Sequence, residues 1–241
     1  MRWTEGGWLK RDDRYQLIYS GGSERKHGVG ILVDKETART IKGSISINER
    51  VMMIKISAKP FDINVIQVEM PTTDYDDDEV NMVYGEVEKL MKKTKNNEVT
   101  VILGDFNAKV GSVREVLTVG PFGLGERNNH RERLVEFAKT NKLMIANTGY
   151  SLPKWRLYMW TSPDGSVKNQ IDYILVPNRF RNGVKQVKTY PRADCYTDHN
   201  PVVLDMSVHL KMRKVKPSNK TDFDLFITNE AKKIEYFGQN G

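Results

Sequence analysis

The sequence predicts an α/β fold in which sheet packs on sheet with helices outside. Three observations carry this. Short β-rich runs recur along the chain, only two stretches keep helical spacing, and the two kinds come in mixed order. The chain has 241 residues, of which 39% are hydrophobic and 29% charged, enough for one substantial core.

The strand runs are 15–19, 29–33, 51–57, 63–70, 99–103, 143–146, 157–161, 170–176, 184–188 and 202–206. The stretch VIQVEMPTT within them shows the pattern. Val65, Gln67 and Glu69 point one way, and Ile66, Val68 and Met70 the other. Pro71 cannot donate to a ladder and ends the strand. The first helix is expected over 79–93, where Val80, Val83, Tyr84, Val87, Leu90 and Met91 keep helical spacing. The acids Asp74, Asp76, Asp77, Asp78 and Glu79 precede or open it, and a helix N-terminus favours negative charge there. The second helix is expected near 132–141, with Leu134, Phe137 and Ala138 inward. From Lys211 the sequence KMRKVKPSNKTDFDL turns basic and loses periodicity. This predicts a core domain over 1–210 and a basic linker over 211–241, with a short helix at 227–237.

No apolar run approaches the ~20 residues that a membrane span needs. Met1 is followed by Arg, Trp, Thr, Glu and two Gly, which is no signal peptide, and the single Cys195 suits a reducing compartment. The expectation is a nuclear or cytoplasmic protein that is not secreted and has no membrane partner. The net charge is +7, and the tail from Lys211 holds seven Lys/Arg against four Asp/Glu, so +3 of it lies there. Such a balance permits a nucleic-acid partner without establishing it.

Three segments share one form, an apolar strand meeting ionisable residues at its end. In VILGDFNAKVG, Gly104 permits an unusual backbone before Asp105 and Asn107, two residues apart. In NQIDYILV, Asp172 sits inside a strand pattern, where an acid is costly unless partnered. In DCYTDHNPVVL, Asp198 and His199 stand just before another strand. Alone, an Asp-x-Asn is commonly a turn and an Asp-His a surface pair. Together, three acids, an amide and a histidine supply the parts for hydrolysing a phosphodiester. An imidazole or carboxylate handles the proton of water, an amide meets the developing charge, and carboxylates hold Mg²⁺. Of the four histidines, His27 and His130 read as polar-loop residues and His209 borders the tail, which leaves His199 in this role.

The motifs GDFN, QIDYIL and TDH, in this order, resemble the endonuclease/exonuclease/phosphatase superfamily. RWTEGG, HGVGILV, INERV, GDFNAKVG, FGLGERN, LYMWTSPDG, NQIDYIL and ADCYTDH extend the resemblance over nearly the whole chain. They are similar to the endonuclease domains of RTE-type non-LTR retrotransposons and of their domesticated copies, and the tail is similar to the linker that leads into a reverse transcriptase there. The resemblance implies a four-layered α/β sandwich, two mixed sheets flanked by helices, and nicking of DNA with Mg²⁺ or Mn²⁺. It implies that His199 is the general acid/base, that Asp172 orients it and that Asp105 positions or activates water. Asn107 would stabilise the transition state and Asp198 would ligate metal. Lys211, Arg213, Lys214 and Lys216 are expected to bind nucleic acid.

Three departures from the resemblance matter. The family's opening strand with its Asn, and the following Glu metal ligand, lie upstream of the RWT segment, which here begins the chain. Glu69 stands where relatives carry a Tyr that donates to phosphate; a carboxylate cannot donate and repels the anion. Met159 stands where relatives usually have Thr, and reads as a core methionine. The expectation is therefore a truncated endonuclease domain with weak or no activity, Glu69 being a lesion or else a replacement metal ligand. The alternative is a non-catalytic nucleic-acid-binding or interaction module.

Overall fold

A computed structural model describes residues 4–208 apart from 12, 25, 73, 126–128, 192 and 194–196. The chain divides after Val208, and every described residue belongs to the unit before that point. Lys211, Arg213, Lys214 and Lys216, and the helix expected at 227–237, lie outside the described residues.

The centre is a six-stranded sheet of β4 (Ile41–Ser46), β5 (Val51–Ile56), β6 (Ile63–Glu69), β7 (Val99–Asp105), β11 (Asp172–Pro177) and β8 (Leu143–Ile145), in that spatial order. Neighbours run antiparallel except β6 and β7, which are parallel. A parallel pair needs a crossover, and α2 (Asp77–Met91) supplies it. Asp76 caps α2 by accepting the Glu79 backbone N–H at 2.9 Å, which gives the acidic cluster a structural purpose. Val80, Val83, Tyr84, Val87 and Leu90 form its buried face. That face joins Phe137 and Leu134 of α3 (Asn129–Thr140) and the inward residues Ile66, Val68, Ile102 and Tyr173 of the sheet in one core.

The sheet's other face carries two smaller sheets. β1 (Gly6–Arg11), β2 (Tyr15–Gly21) and β3 (Gly28–Asp34) form one, and Ile18, Val29 and Val33 from it pack with Met52 and Ile54. β12 (Val184–Thr189) and β13 (Val202–Met206) form the other, with Val184 and Val187 packed on Val99, Val101, Ile174 and Val176. The result is the mixed α/β sandwich that the mixed order of runs predicts. α1 (Lys35–Thr40) joins β3 to β4 and has no fully buried residue, Ala38 being partly buried against the small sheet's core.

The run 157–161 departs from expectation. Its apolar residues do not form a full strand: Lys154–Arg156 is a 3-10 turn, and only β9 (Trp160–Thr161) pairs, with β10 (Lys168–Asn169). Leu157 and Met159 are nonetheless buried, so the run fills the core without joining the large sheet. His130 is also not a loop residue; it lies in α3 and is 5% exposed.

Candidate active site

The parallel and antiparallel ladders bring three acids into a row at one end of the large sheet. Glu69 on β6 is the register partner of Asp105 on β7, and Asp105 is the register partner of Asp172 on β11. Gly104 makes the approach possible. Its φ is 147°, and a Cβ there would meet the Val68 carbonyl oxygen at 1.8 Å. The Met70 N–H donates to the Asp105 carbonyl at 2.8 Å, continuing the ladder to the site.

Asp105 is half-buried, and its Oδ1 accepts the Asn107 backbone N–H at 2.9 Å. Burial, then the Asp172 charge beside it, pushes its carboxyl up to about 7. Asn107 adopts φ 48°, a left-handed conformation that asparagine tolerates, and its Nδ2 donates to the Met70 carbonyl at 2.8 Å.

His199 reaches the row from the loop before β13. A bridge to Trp160 fixes its backbone, and its Nδ1 lies 2.9 Å from Asp172 Oδ2. A carboxylate only accepts, so Nδ1 carries the hydrogen and Nε2 is the ring nitrogen left for proton chemistry. The Asp172 hydrogen bond outweighs burial and raises the imidazole to about 9. Asp105, Asp172 and His199 place ligand atoms within 4.8 Å of one another, the one such group among the described residues. The Asp105 and Asp172 carboxylates supply the oxygen ligands that a hard divalent cation takes, so the residues present fit a metal.

Asp198 stands apart from this group. Its side chain is exposed, with Oδ2 accepting the Trp160 indole N–H at 2.9 Å and Oδ1 facing the Thr197 hydroxyl at 3.3 Å. Burial acts to raise its carboxyl, but the Trp160 bond and the further donors outweigh it and hold it below the usual range.

Sequence reasoning missed the residues that hold these groups in place. Asn147 is buried and clamps β11 from both sides of Tyr173, just after Asp172: its Nδ2 donates to the Asp172 carbonyl at 3.2 Å and its Oδ1 accepts the Ile174 N–H at 2.8 Å. His27 is not a plain loop residue either. Its Nδ1 lies 3.1 Å from Glu69 Oε1, and its Nε2 lies 3.2 Å from Arg50 Nη2. Arg50 Nη1 is 3.8 Å from the same Glu69 oxygen. Glu69 thus spends its carboxylate on His27 and Arg50, outside the group of Asp105, Asp172 and His199. Arg50 in INERV, a cation directly before an apolar run, was the available signal.

The family model for Endonuclease/Exonuclease/phosphatase proteins matches residues 2–199, which contain every one of these groups. The chain belongs to the Endonuclease/Exonuclease/phosphatase family. Among curated proteins, craniofacial development protein 2 of Bos taurus is 38% identical over 236 residues, covering 97% of this chain and 40% of that protein. Craniofacial development protein 2 of Tragulus javanicus is 38% identical over 227 residues, covering 92% of the chain and again 40% of the relative. The chain therefore spans well under half the length of these relatives. Solved structures share the fold. The endonuclease domain of TRAS1, a telomere-specific non-LTR retrotransposon, superposes with a TM-score of 0.58 at 10% identity, covering 81% of each chain. The 3'-5' exonuclease NExo from Neisseria meningitidis gives 0.57 at 17% identity over 80% of each. The AP endonuclease LMAP from Leishmania major gives 0.58 at 13%, covering 82% of this chain and 72% of its own. At these identities the superpositions speak to an Endonuclease/Exonuclease/phosphatase fold.

Proposed function

We propose that the chain is a retrotransposon-derived endonuclease domain that hydrolyses DNA phosphodiester bonds with Mg²⁺ or Mn²⁺. The observation that supports it best is the Asp172–His199 hydrogen bond at 2.9 Å directly across the ladder from Asp105. His199 Nε2 exchanges the proton of the reacting oxygen, and Asp172 holds the ring in the tautomer that permits this. Asp105 orients the water from the strand end opposite Asp172. Asn107 would turn its amide from the Met70 carbonyl to the charge that develops on the phosphoryl oxygens. Asp105 and Asp172 would hold the cation, which supplies positive charge against the phosphate, and Asp198 would join them only by leaving Trp160.

We also propose that hydrolysis is slow. Glu69 puts a third acid in the row of Asp105 and Asp172, where an approaching phosphate meets repulsion.

The test is nicking of supercoiled plasmid in Mg²⁺ or Mn²⁺. Asp105→Ala and His199→Ala should each lower the rate by at least ~100-fold, the size expected of a group acting in proton transfer. Robust nicking by His199→Ala would falsify the assignment. DNA binding without any nicking by the parent chain would favour a non-catalytic binding module.

A further inference from the structure

We propose that Tyr173 and Arg131 are positioning residues for Asn107: between them they grip the backbone of Val110 and so hold the left-handed turn that aims the Asn107 amide. The use of that amide rests on the nuclease reading; the grip itself does not.

Asn107 needs outside support. A φ of 48° persists in a residue other than glycine only where the surroundings impose it. At rest Asn107 helps itself, through its N–H to Asp105 Oδ1 and its Nδ2 to the Met70 carbonyl. The second bond is given up when the amide turns to a phosphoryl oxygen, so the turn must then be held from its two ends. At the near end the Phe106 N–H donates to the Ile171 carbonyl at 2.9 Å, a rung of the ladder between β7 and β11. At the far end stands Val110, fully buried and outside any strand. Its N–H donates to the Tyr173 hydroxyl oxygen at 3.1 Å, and its carbonyl accepts Arg131 Nε at 2.8 Å. Two side chains thus do for Val110 what a neighbouring strand would do.

Both side chains are fixed before they reach Val110. The Tyr173 hydroxyl donates to the Gln170 carbonyl at 2.7 Å, and its ring meets that of Phe106 edge-on at 6.3 Å. Arg131 is 1% exposed, a costly place for a cation that is not put to use. Its Nη1 pairs with Glu132 at 2.6 Å, and its Nη2 lies 3.9 Å from Glu115, while Nε is aimed at Val110. Tyr173 also follows Asp172 directly on β11, and successive strand residues point to opposite faces. Asp172 therefore turns to His199 while Tyr173 enters the large core and reaches the turn from beneath. One strand sets the imidazole with one residue and the amide with the next.

The experiment compares the parent with Tyr173→Phe, which removes only the hydroxyl, and with Arg131→Lys, which keeps the charge but loses Nε–H. Either variant gives the reading if the other fails to fold. Nitrogen-15 relaxation without metal or DNA is the first measurement. The order parameter of the Asn107 backbone N–H should fall from about 0.85 to below about 0.6, while β5 keeps its parental values. Plasmid nicking in Mn²⁺ is the second. The turnover rate should fall about 10-fold with KM unchanged, as for a reacting group slightly misplaced. That loss should vanish in an Asn107→Gly background, which keeps the turn without the amide, whereas a merely structural role lowers the rate equally in both. An unmoved order parameter, or an equal loss in Asn107→Gly, overturns the proposal. A mobile Asn107 in the variants with no nicking by the parent leaves the grip standing, and the nuclease reading falls. A rigid Asn107 with nicking by the parent removes the grip and leaves the nuclease reading; a rigid Asn107 without nicking removes both. Should neither variant fold, hydrogen exchange of the Val110 N–H in the parent decides. Protection like that of β7 supports the grip, and exchange at the rate of an open loop overturns it.

Discussion

Asp172 does two things at once: it stands opposite Asp105 in the β7–β11 ladder and holds His199 Nδ1 at 2.9 Å. The two contacts pull its surroundings in opposite directions. The negative charge of Asp172 discourages a second charge on Asp105, while it stabilises a positive one on His199.

The imidazole of His199 is accordingly expected to titrate near 9 in the metal-free protein. In Asp172→Asn the dominant cause is gone and burial is opposed only by the weaker Asp105 and Asp198 charges, so the value should fall toward the ordinary histidine range. Because the folded value lies above the unfolded one, this pair contributes stability fully below about pH 6.5 and loses it as pH rises through 9. Proton NMR of the ring resonances during a pH titration measures both. A titration unmoved by the substitution contradicts the geometry.

Gly104→Ala should cost at least about 2 kcal/mol, because an Ala there must hold a strained φ and also push aside a backbone oxygen. Urea unfolding of the variant against the parent reads this directly. The same displacement separates β6 from β7 where Glu69 and Asp105 meet, so nicking should fall further than the loss of stability alone explains. An Ala variant of parental stability would mean that the two strands are not so close.

Acid sensitivity is expected at the opposite end of β6. Glu98 is 6% exposed, and burial acts to raise its carboxyl. The Lys55 ammonium, the Asn64 amide and the Lys95 backbone N–H outweigh burial and hold it down to about 2. The folded value is depressed, so this cluster contributes stability above about pH 4.5 and loses it as pH falls toward 2. Stability measured between pH 5 and pH 2 should therefore drop more steeply in the parent than in Glu98→Gln. Parallel curves would remove Glu98 from the account.

Deleting the chain from Lys211 onward should leave the melting temperature unchanged and flatten the salt dependence of DNA binding. Lys211, Arg213, Lys214 and Lys216 can neutralise up to four phosphates, so the logarithmic slope should shrink by roughly 3 to 4. An unaltered slope assigns the tail to a linker role alone.

The parts of the molecule that were legible in the sequence share a physical trait. Runs such as VMMI in β5 and VTVILGD in β7 are buried along most of their length, so their composition announces them. By contrast β1, with two glycines and three ionisable or aromatic neighbours in GGWLKR, and β4, IKGSIS, have no buried residue among those described and so carry no apolar pattern to read. At the site, Asp105, Asn107, Asp172 and His199 were visible because ionisable groups at the ends of apolar runs need an explanation. Asn147, His27 and Arg50 were not, since their significance lies in partners 19 to 42 positions away that only the folded ladders bring close.

The parallel pairing of β6 with β7 also bears on when the candidate site comes together. Glu69 and Asp105 meet only after the chain has travelled through α2 and back, and Asp172 joins only after α3, β8 and the β9–β10 hairpin have been made. Such long closures are the slow part of folding. The row of Glu69, Asp105 and Asp172 is thus among the last features to be assembled, and a nascent chain still leaving the ribosome carries these side chains without the geometry that brings them together.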